Sequence, residues 1–324
     1  LLLDTRYSRD SHIIPSVGGV RLPLSPVVAA AIRGLCSYCS IGADYGGDVL
    51  GEAQWAWLEA QLAESEAAIH IIVSSVQVQT SNPLVESWGH FPAARARLVA
   101  LLAKHRPAGL LLLSGDVHFA EMSGRRRPDG SPSFLLEATS SGMTHTCASA
   151  PVYGGVCASI IRRYADHRTT ADAYYPDINW GTVEIEWPHE DDAARNGSSA
   201  AWPRAVVSIR GADGEAVLQE TVPPGRAPAG ESWALEPLVP EVTVGTAVWC
   251  GACRSELGAG RRGVRARVTS VRASAGIWMW LSFIGVLGAL LQCISMATGR
   301  LLTRGRSLTP DLPMISTEVK NCDF

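Results

Sequence analysis

The stretch GLLLLSGDVHFAEM, Gly109 to Met122, decides how this chain is read. Its first part, Gly109–Leu113, is an unbroken apolar run, the pattern of a strand buried on both faces. The run ends in Gly115-Asp116-Val117-His118. A carboxylate and an imidazole, two residues apart, therefore arrive on the loop at the strand's carboxyl end. In open α/β sheets that edge is where ligands bind. Alternation along an extended chain sets Asp116 and His118 on one side, where both can face one ion. A hard oxygen donor beside an imidazole suits a transition metal, or a mixed site that also takes Ca²⁺ or Mg²⁺. The competing reading is a turn capped by Asp116 and a satisfied core histidine at position 118.

The flanking pattern is that of a layered α/β protein. Leu1–Asp4 reads as a buried strand, and residues 11–46 as loops without clear period. In Gly51–Ser65, Trp55, Leu58 and Leu62 recur at helical spacing with acids between them, which predicts an amphipathic helix. Ile69–Val78 is rich in β-branched residues and reads as a central strand. Pro92 suits the first position of a helix carrying Leu98, Leu101 and Leu102. Downstream the pattern turns to β. Asp129-Gly130 and Asp213-Gly214 read as hairpin turns, and Thr182–Trp187 alternates as a half-buried strand should.

Composition narrows the functional classes. The chain has 324 residues, 47% hydrophobic and 18% charged, enough for a sizeable core, and a net charge of −3 gives no polyanion-binding surface. Nucleic acid is not indicated as a partner. The 8 cysteines form no dense framework; Cys147–Cys157 and Cys250–Cys253 are possible bridges if the domain faces an oxidising compartment. Cys250-Gly251-Ala252-Cys253 lacks the strand and helix that lower the thiol pKa in a redox pair. From Ala273 to Gly299 no residue is charged, and a spanning helix needs only ~20 such residues. Trp278 and Trp280 suit an interfacial belt. The expected organisation is a main domain over residues 1–221, a juxtamembrane linker with little core over 222–272, a transmembrane helix over 273–299 and a polar tail over 300–324. Arginines 261, 262, 265, 267 and 272 against 300, 304 and 306 would put the main domain in the cytosol by charge alone.

Six blocks, in order, carry a family resemblance: LLLDTRYSRD from Leu1, GDVLGEAQWAWLEAQL from Gly47, IIVSSVQVQTSNPLVESWGHFPAARARL from Ile71, LLSGDVHFAEM from Leu112, LLEATSSGMTH from Leu135 and NWGTVEIEW from Asn179. Together they resemble the PhoD-like (alkaline phosphatase D) metallophosphatases of the calcineurin-like superfamily, over roughly residues 1–220. The resemblance implies a calcineurin-like β-sandwich flanked by helices. It implies a hydrolase of phosphomonoesters or phosphodiesters, iron and calcium as metals, and Asp116 and His118 as metal ligands, with His118 in catalysis. It also implies a strand-end Gln77 near phosphate or a metal-bound water, and His90 and His145 on loops beside the substrate; the alternatives are a turn-stabilising role for His90 and an ordinary polar loop around His145. A lumenal or outward-facing domain on a single-pass anchor fits that resemblance.

The family's earlier ligand motifs are absent from these residues. Two ligands cannot organise a two-metal centre, which must clamp both attacking and leaving oxygens. The chain is therefore expected to be a C-terminal portion, inactive alone. The alternative from another class is a non-catalytic, membrane-anchored binding module. Several residues keep two readings. Gln77 is either a phosphate donor or a buried amide satisfying the backbone. Arg6 and Arg9 pair either with phosphate or with Asp4 and Asp10. Glu121 either orients the His118 ring or lies on the surface. His12, His70, His105, His167 and His189 have no partner pattern.

Overall fold

The computed structural model describes residues 1–12, 25–38, 42–127, 130, 132–149, 154–188, 202–236 and 238. Four helices and eight strands lie among them: α1 Ser25–Tyr38, α2 Glu52–Glu64, β1 His70–Val73, α3 Pro92–His105, β2 Leu110–Ser114, β3 Ala120–Ser123, β4 Leu136–Thr139, α4 Gly154–Arg163, β5 Tyr174–Tyr175, β6 Asn179–Glu186, β7 Arg204–Gly211 and β8 Ala216–Val222. The strands form a mixed sheet in the order β1-β2-β4-β3-β5 and an antiparallel sheet in the order β6-β7-β8.

Strand β2 explains the layering. It pairs in parallel with β1 on one side and with β4 on the other, so neither long edge is open. Its side chains alternate between two cores. Leu110 and Leu112 join the cluster of Trp55, Leu58 and Leu62 from α2 and Leu98 and Leu102 from α3. Leu111 faces the other way, with Met122, Leu136 and Ala138, against Ala205, Val207, Ile209 and Val222 of the second sheet. Helices cover one face of the mixed sheet and the three-stranded sheet covers the other. Continuous leucine is what that sandwiching requires. Burying one such leucine is worth ~2 kcal/mol or more.

Several expectations hold. Helix α2 buries Trp55, Leu58 and Leu62, as their spacing predicts. Pro92 opens α3, whose end is a left-handed Arg106 (φ 46°). The Asp213-Gly214 turn joins β7 to β8, with Gly214 at φ 86°. Arg126 and Pro132 bridge antiparallel around Gly130; Asp129 itself lies outside the described residues.

Others need correction. Residues 25–38 form a helix, not a loop. Its Val28, Leu35 and Tyr38 remain exposed while Ala29 is buried, and the Ala29–Ala31 run favours helix by propensity. The buried strand read over Leu1–Asp4 reduces to a single parallel bridge, Leu2 to Val73, with Leu3 buried and Leu2 exposed. The strand read over Ile69–Val78 stops at Val73. Beyond it, side chains take over the role of a ladder. Glu137 accepts the N–H groups of Val78 (2.9 Å) and Gln79 (2.7 Å), while Arg95 donates to their carbonyls at 2.7 and 2.9 Å. Every polar backbone group so engaged is satisfied without β pairing. In β6 the alternation holds for Val183, which packs inward, but Ile185 and Trp187 run out to solvent on an edge strand. The linker reading also fails in its first part: Trp233 and Leu235 pack on the helical core, and Glu236 binds Arg95 and Arg125.

The transmembrane helix expected over 273–299 lies outside the described residues, as do Cys250–Cys253 and the tail. Among the described residues no helix is long and apolar enough to cross a membrane.

Candidate functional site

The carboxyl ends of β1, β2 and β4 lie side by side, and the loops leaving them carry two separate groups of polar residues. The upper group is exposed. After Ser114 the chain departs from extended geometry, with Asp116 at φ 75° and His118 at φ 60°. The left-handed region is sparsely occupied by residues other than glycine, although Asp and His enter it more than most. Val117 and Phe119 pack downward with Cys157 and Ile161, and Asp116 and His118 stay exposed. The extended geometry assumed for Asp116 and His118 is therefore replaced by two left-handed residues, each of them exposed.

His118 is fixed from the neighbouring loop. Its carbonyl accepts the Cys147 N–H at 2.8 Å, and Cys147 is bridged to Cys157 on α4, one of the pairings expected from sequence. The His145 ring meets the His118 ring edge-on, centroids 4.1 Å apart. Partial burial, then the nearby His145, lowers the His118 pKa, and the Asp116 charge partly offsets both. The loop carrying His145 is shaped by Asn179, at the start of β6. Its Oδ1 accepts from Ser140 Oγ (3.1 Å), Ser141 N (3.2 Å) and Gly142 N (3.3 Å). A Cβ on Gly142 would overlap the Asn179 amide, so a larger residue there must push that amide aside.

Asp116 has a partner that spacing could not reveal. Arg6 Nη2 donates to Asp116 Oδ1 at 3.1 Å, and Arg6 Nη1 lies 3.8 Å from Glu86 Oε1. Arg9 donates to the same Glu86 oxygen, and His12 Nε2 lies 3.3 Å from it. Arg33 of α1 donates to the Leu84 carbonyl at 3.0 Å, and burial lowers its pKa against the pull of Glu86 and Asp116. The close approach of His12, opposed by burial and reinforced by the hydrogen bond and charge of Arg9, holds Glu86 down to about 2. Arg6 and Arg9 thus find their ion-pair partners in Glu86 and Asp116, not in the side chains of Asp4 and Asp10. Asp4 instead accepts the Arg6 and Tyr7 N–H groups, both at 2.9 Å.

The lower group is sealed. Gln77 is fully buried, and its Nε2 donates to Glu121 Oε1 (2.6 Å) and Thr139 Oγ1 (3.0 Å). Glu121 also accepts from His167 Nε2 at 2.9 Å and Arg168 Nε at 2.8 Å. Burial pushes Glu121 up, but the charges and hydrogen bonds of His167 and Arg168 win and hold it at about 2. Glu121 is therefore neither a surface carboxylate nor the acceptor for His118. Its bonds run to the opposite side of β3. His90 closes a single 3₁₀ turn, Trp88–His90, with Nε2 3.3 Å from the Pro83 carbonyl. Burial, then the charges of His12 and Arg33, depresses it to about 4.

The structure thus joins Asp116, His118 and His145 with Arg6. It places Gln77 in the layer beneath them, and His90 beside His12, with ring centroids 5.9 Å apart. Sequence reasoning missed Glu86, His12 and Arg33, and no motif spacing marks them. Iron and calcium need several donors converging. Among the described residues no three His, Cys, Asp or Glu side chains converge as a metal would require, and the Asp116 carboxylate faces a guanidinium. These residues do not by themselves fit a metal centre.

Fold and site together define a mixed α/β protein with an acid–imidazole loop at the carboxyl edge of parallel strands. The model of the PhoD-like phosphatase family matches residues 1–188, and the chain belongs to that family. A solved structure described as "Structure of PhoD" is similar at 16% identity and a TM-score of 0.34, over 68% of this chain and 41% of that one. The chain thus spans less than half the length of that relative. No curated protein matches the sequence.

Proposed function

We propose that this chain contributes the phosphoester-facing edge of a phosphoric ester hydrolase acting on phosphomonoesters or phosphodiesters. The observation that carries the reading is the exposed Asp116–His118 loop, within the span shared with the PhoD-like phosphatases. Asp116 and His118 supply an acceptor and an imidazole to one face, and His145 adds a second ring against the first. The family's chemistry uses metals, iron and calcium in this reading. Asp116, His118 and His145 are too few donors for that, so further ligands must come from outside the described residues. Gln77 acts from below by holding Thr139 and Glu121, and His90 by closing the loop that carries Glu86.

The reading extends to location. The apolar segment 273–299 supports a single membrane anchor. The Cys147–Cys157 bridge supports an oxidising, lumenal or extracellular side for the main domain.

One observation favours a second reading, a membrane-anchored binding module without catalysis: Asp116 is already neutralised by Arg6. The test is hydrolysis of a chromogenic phosphodiester by the protein supplied with iron and calcium, with and without Asp116→Asn. A rate that falls at least ~100-fold in the variant supports the hydrolase. Equal rates remove Asp116 from the chemistry, and no turnover in either leaves the binding module.

A further inference from the structure

We propose that Arg6 is an anion anchor for the phosphoryl oxygens of the ester, released to them by exchange from Asp116. The proposal rests on the hydrolase reading and names the residue that would hold the substrate's phosphate. Three guanidinium groups, Arg6, Arg9 and Arg33, gather around two carboxylates, Glu86 and Asp116. The three are not equivalent. Arg9 is four-fifths buried and committed to Glu86, with its guanidinium near the Phe91 ring. Arg33 is spent on the Leu84 carbonyl. Arg6 makes a single hydrogen bond to Asp116, lies too far from Glu86 for a second, and its side chain is 53% exposed. A guanidinium carries five donors, and only one of Arg6's has an acceptor among the described residues.

The backbone beneath Arg6 is fixed, which is what an anchor needs. Leu3 N donates to the Val73 carbonyl at 2.9 Å. Gln54 brackets Asp4, accepting its N–H and donating to its carbonyl, both at 2.8 Å. Asp4 then turns the chain by accepting the N–H groups of Arg6 and Tyr7. Arg6 thereby leaves the carboxyl end of the same sheet that delivers Asp116 and His118. A tetrahedral oxyanion offers it two acceptors in place of one, and bidentate guanidinium–phosphate pairing is the stronger arrangement.

The experiment is phosphate binding, which needs no turnover. Inorganic phosphate, and phenylphosphonate as a non-hydrolysable stand-in for an ester, are titrated into the 324-residue chain in detergent and followed by calorimetry. Arg6→Gln should weaken both at least ~10-fold and Arg6→Lys less, because one point charge replaces a fork. Asp116→Asn should tighten both, since it removes the competing carboxylate; a merely structural Arg6–Asp116 pair would weaken in both variants or change in neither. Arg210→Gln, on the far face of the second sheet, should leave binding unchanged, and thermal melts of each variant identify any that fail to fold. Unchanged phosphate affinity in a folded Arg6→Gln, or loss in Asp116→Asn, overturns the proposal. Binding of inorganic phosphate without phenylphosphonate overturns the substrate assignment. Arg6-dependent binding with no ester ever hydrolysed would sink the hydrolase reading and leave the anchor standing; hydrolysis with an unaltered KM in Arg6→Gln would do the reverse.

Discussion

Two groups of charged residues share one sheet edge in this protein, and they differ in almost everything except position. Glu121, His167 and Arg168 lie beneath the loops, with side chains at most 2% exposed, and Gln77 Nε2 adds a hydrogen bond to Glu121 while its Oε1 has no partner among the described residues. Arg6, Asp116, His118 and His145 lie above, open to solvent. A sealed ionic group must satisfy itself, because removing one partner strands an uncompensated charge. An open one is already solvated and contributes little to stability. The lower group therefore fixes the edge, and the upper group remains available to a ligand. Charge alone does not mark a functional site; charge with unsatisfied outward donors does.

Four substitutions or conditions sharpen that contrast. The largest effect is expected from Arg168→Ala, which leaves Glu121 buried with one cation fewer. A loss of ~3–5 kcal/mol in urea unfolding is expected, and a loss below ~1 kcal/mol would show that the lower group is not the support described. Next, Gly142→Ala forces the Asn179 amide aside and should cost ~1–3 kcal/mol, with the NMR signals of His145 and His118 shifting together. Signals that stay in place would separate the two loops.

Acid pH comes third. Glu86 and Glu121 both titrate at about 2 in the fold, below the ordinary 4.5. Groups depressed in this way contribute stability that is fully present above the ordinary value and is lost as pH falls through the folded one. The unfolding midpoint should therefore fall between pH 4.5 and 2, and Glu86→Gln should flatten that decline by roughly 2 kcal/mol, allowing for its partial exposure. An unchanged slope in Glu86→Gln would show that Arg9 and His12 do not stabilise its charge. The smallest effect belongs to Asp116→Ala, which should alter stability by less than ~0.5 kcal/mol. A loss comparable to Arg168→Ala would erase the distinction between the groups.

The sequence made the upper group half legible. An apolar run ending in Gly-Asp-x-His announces a carboxylate and an imidazole at a strand's mouth, because both features are local. Arg6 is not local: it reaches Asp116 across 110 residues through the pairing of Leu2 with Val73, and no spacing encodes that. The short β1 shows the opposite failure. Val76 and Val78 look like strand residues because they are buried, yet Glu137 and Arg95 satisfy the backbone there in place of a neighbouring strand. Burial reads from sequence; the identity of the hydrogen-bond partner does not. Helix α1 escaped notice for a third reason: Pro23 and Pro26 at its start and Gly34 within it read as loop punctuation.

The most direct test of the whole account is a crystal structure of the protein grown with tungstate, a tetrahedral oxyanion whose metal scatters anomalously. The account expects an anomalous peak on the Arg6 guanidinium beside the Asp116–His118 loop, with the Arg6–Asp116 hydrogen bond broken or shared. Tungstate bound elsewhere, with Arg6 and Asp116 still paired, would contradict it.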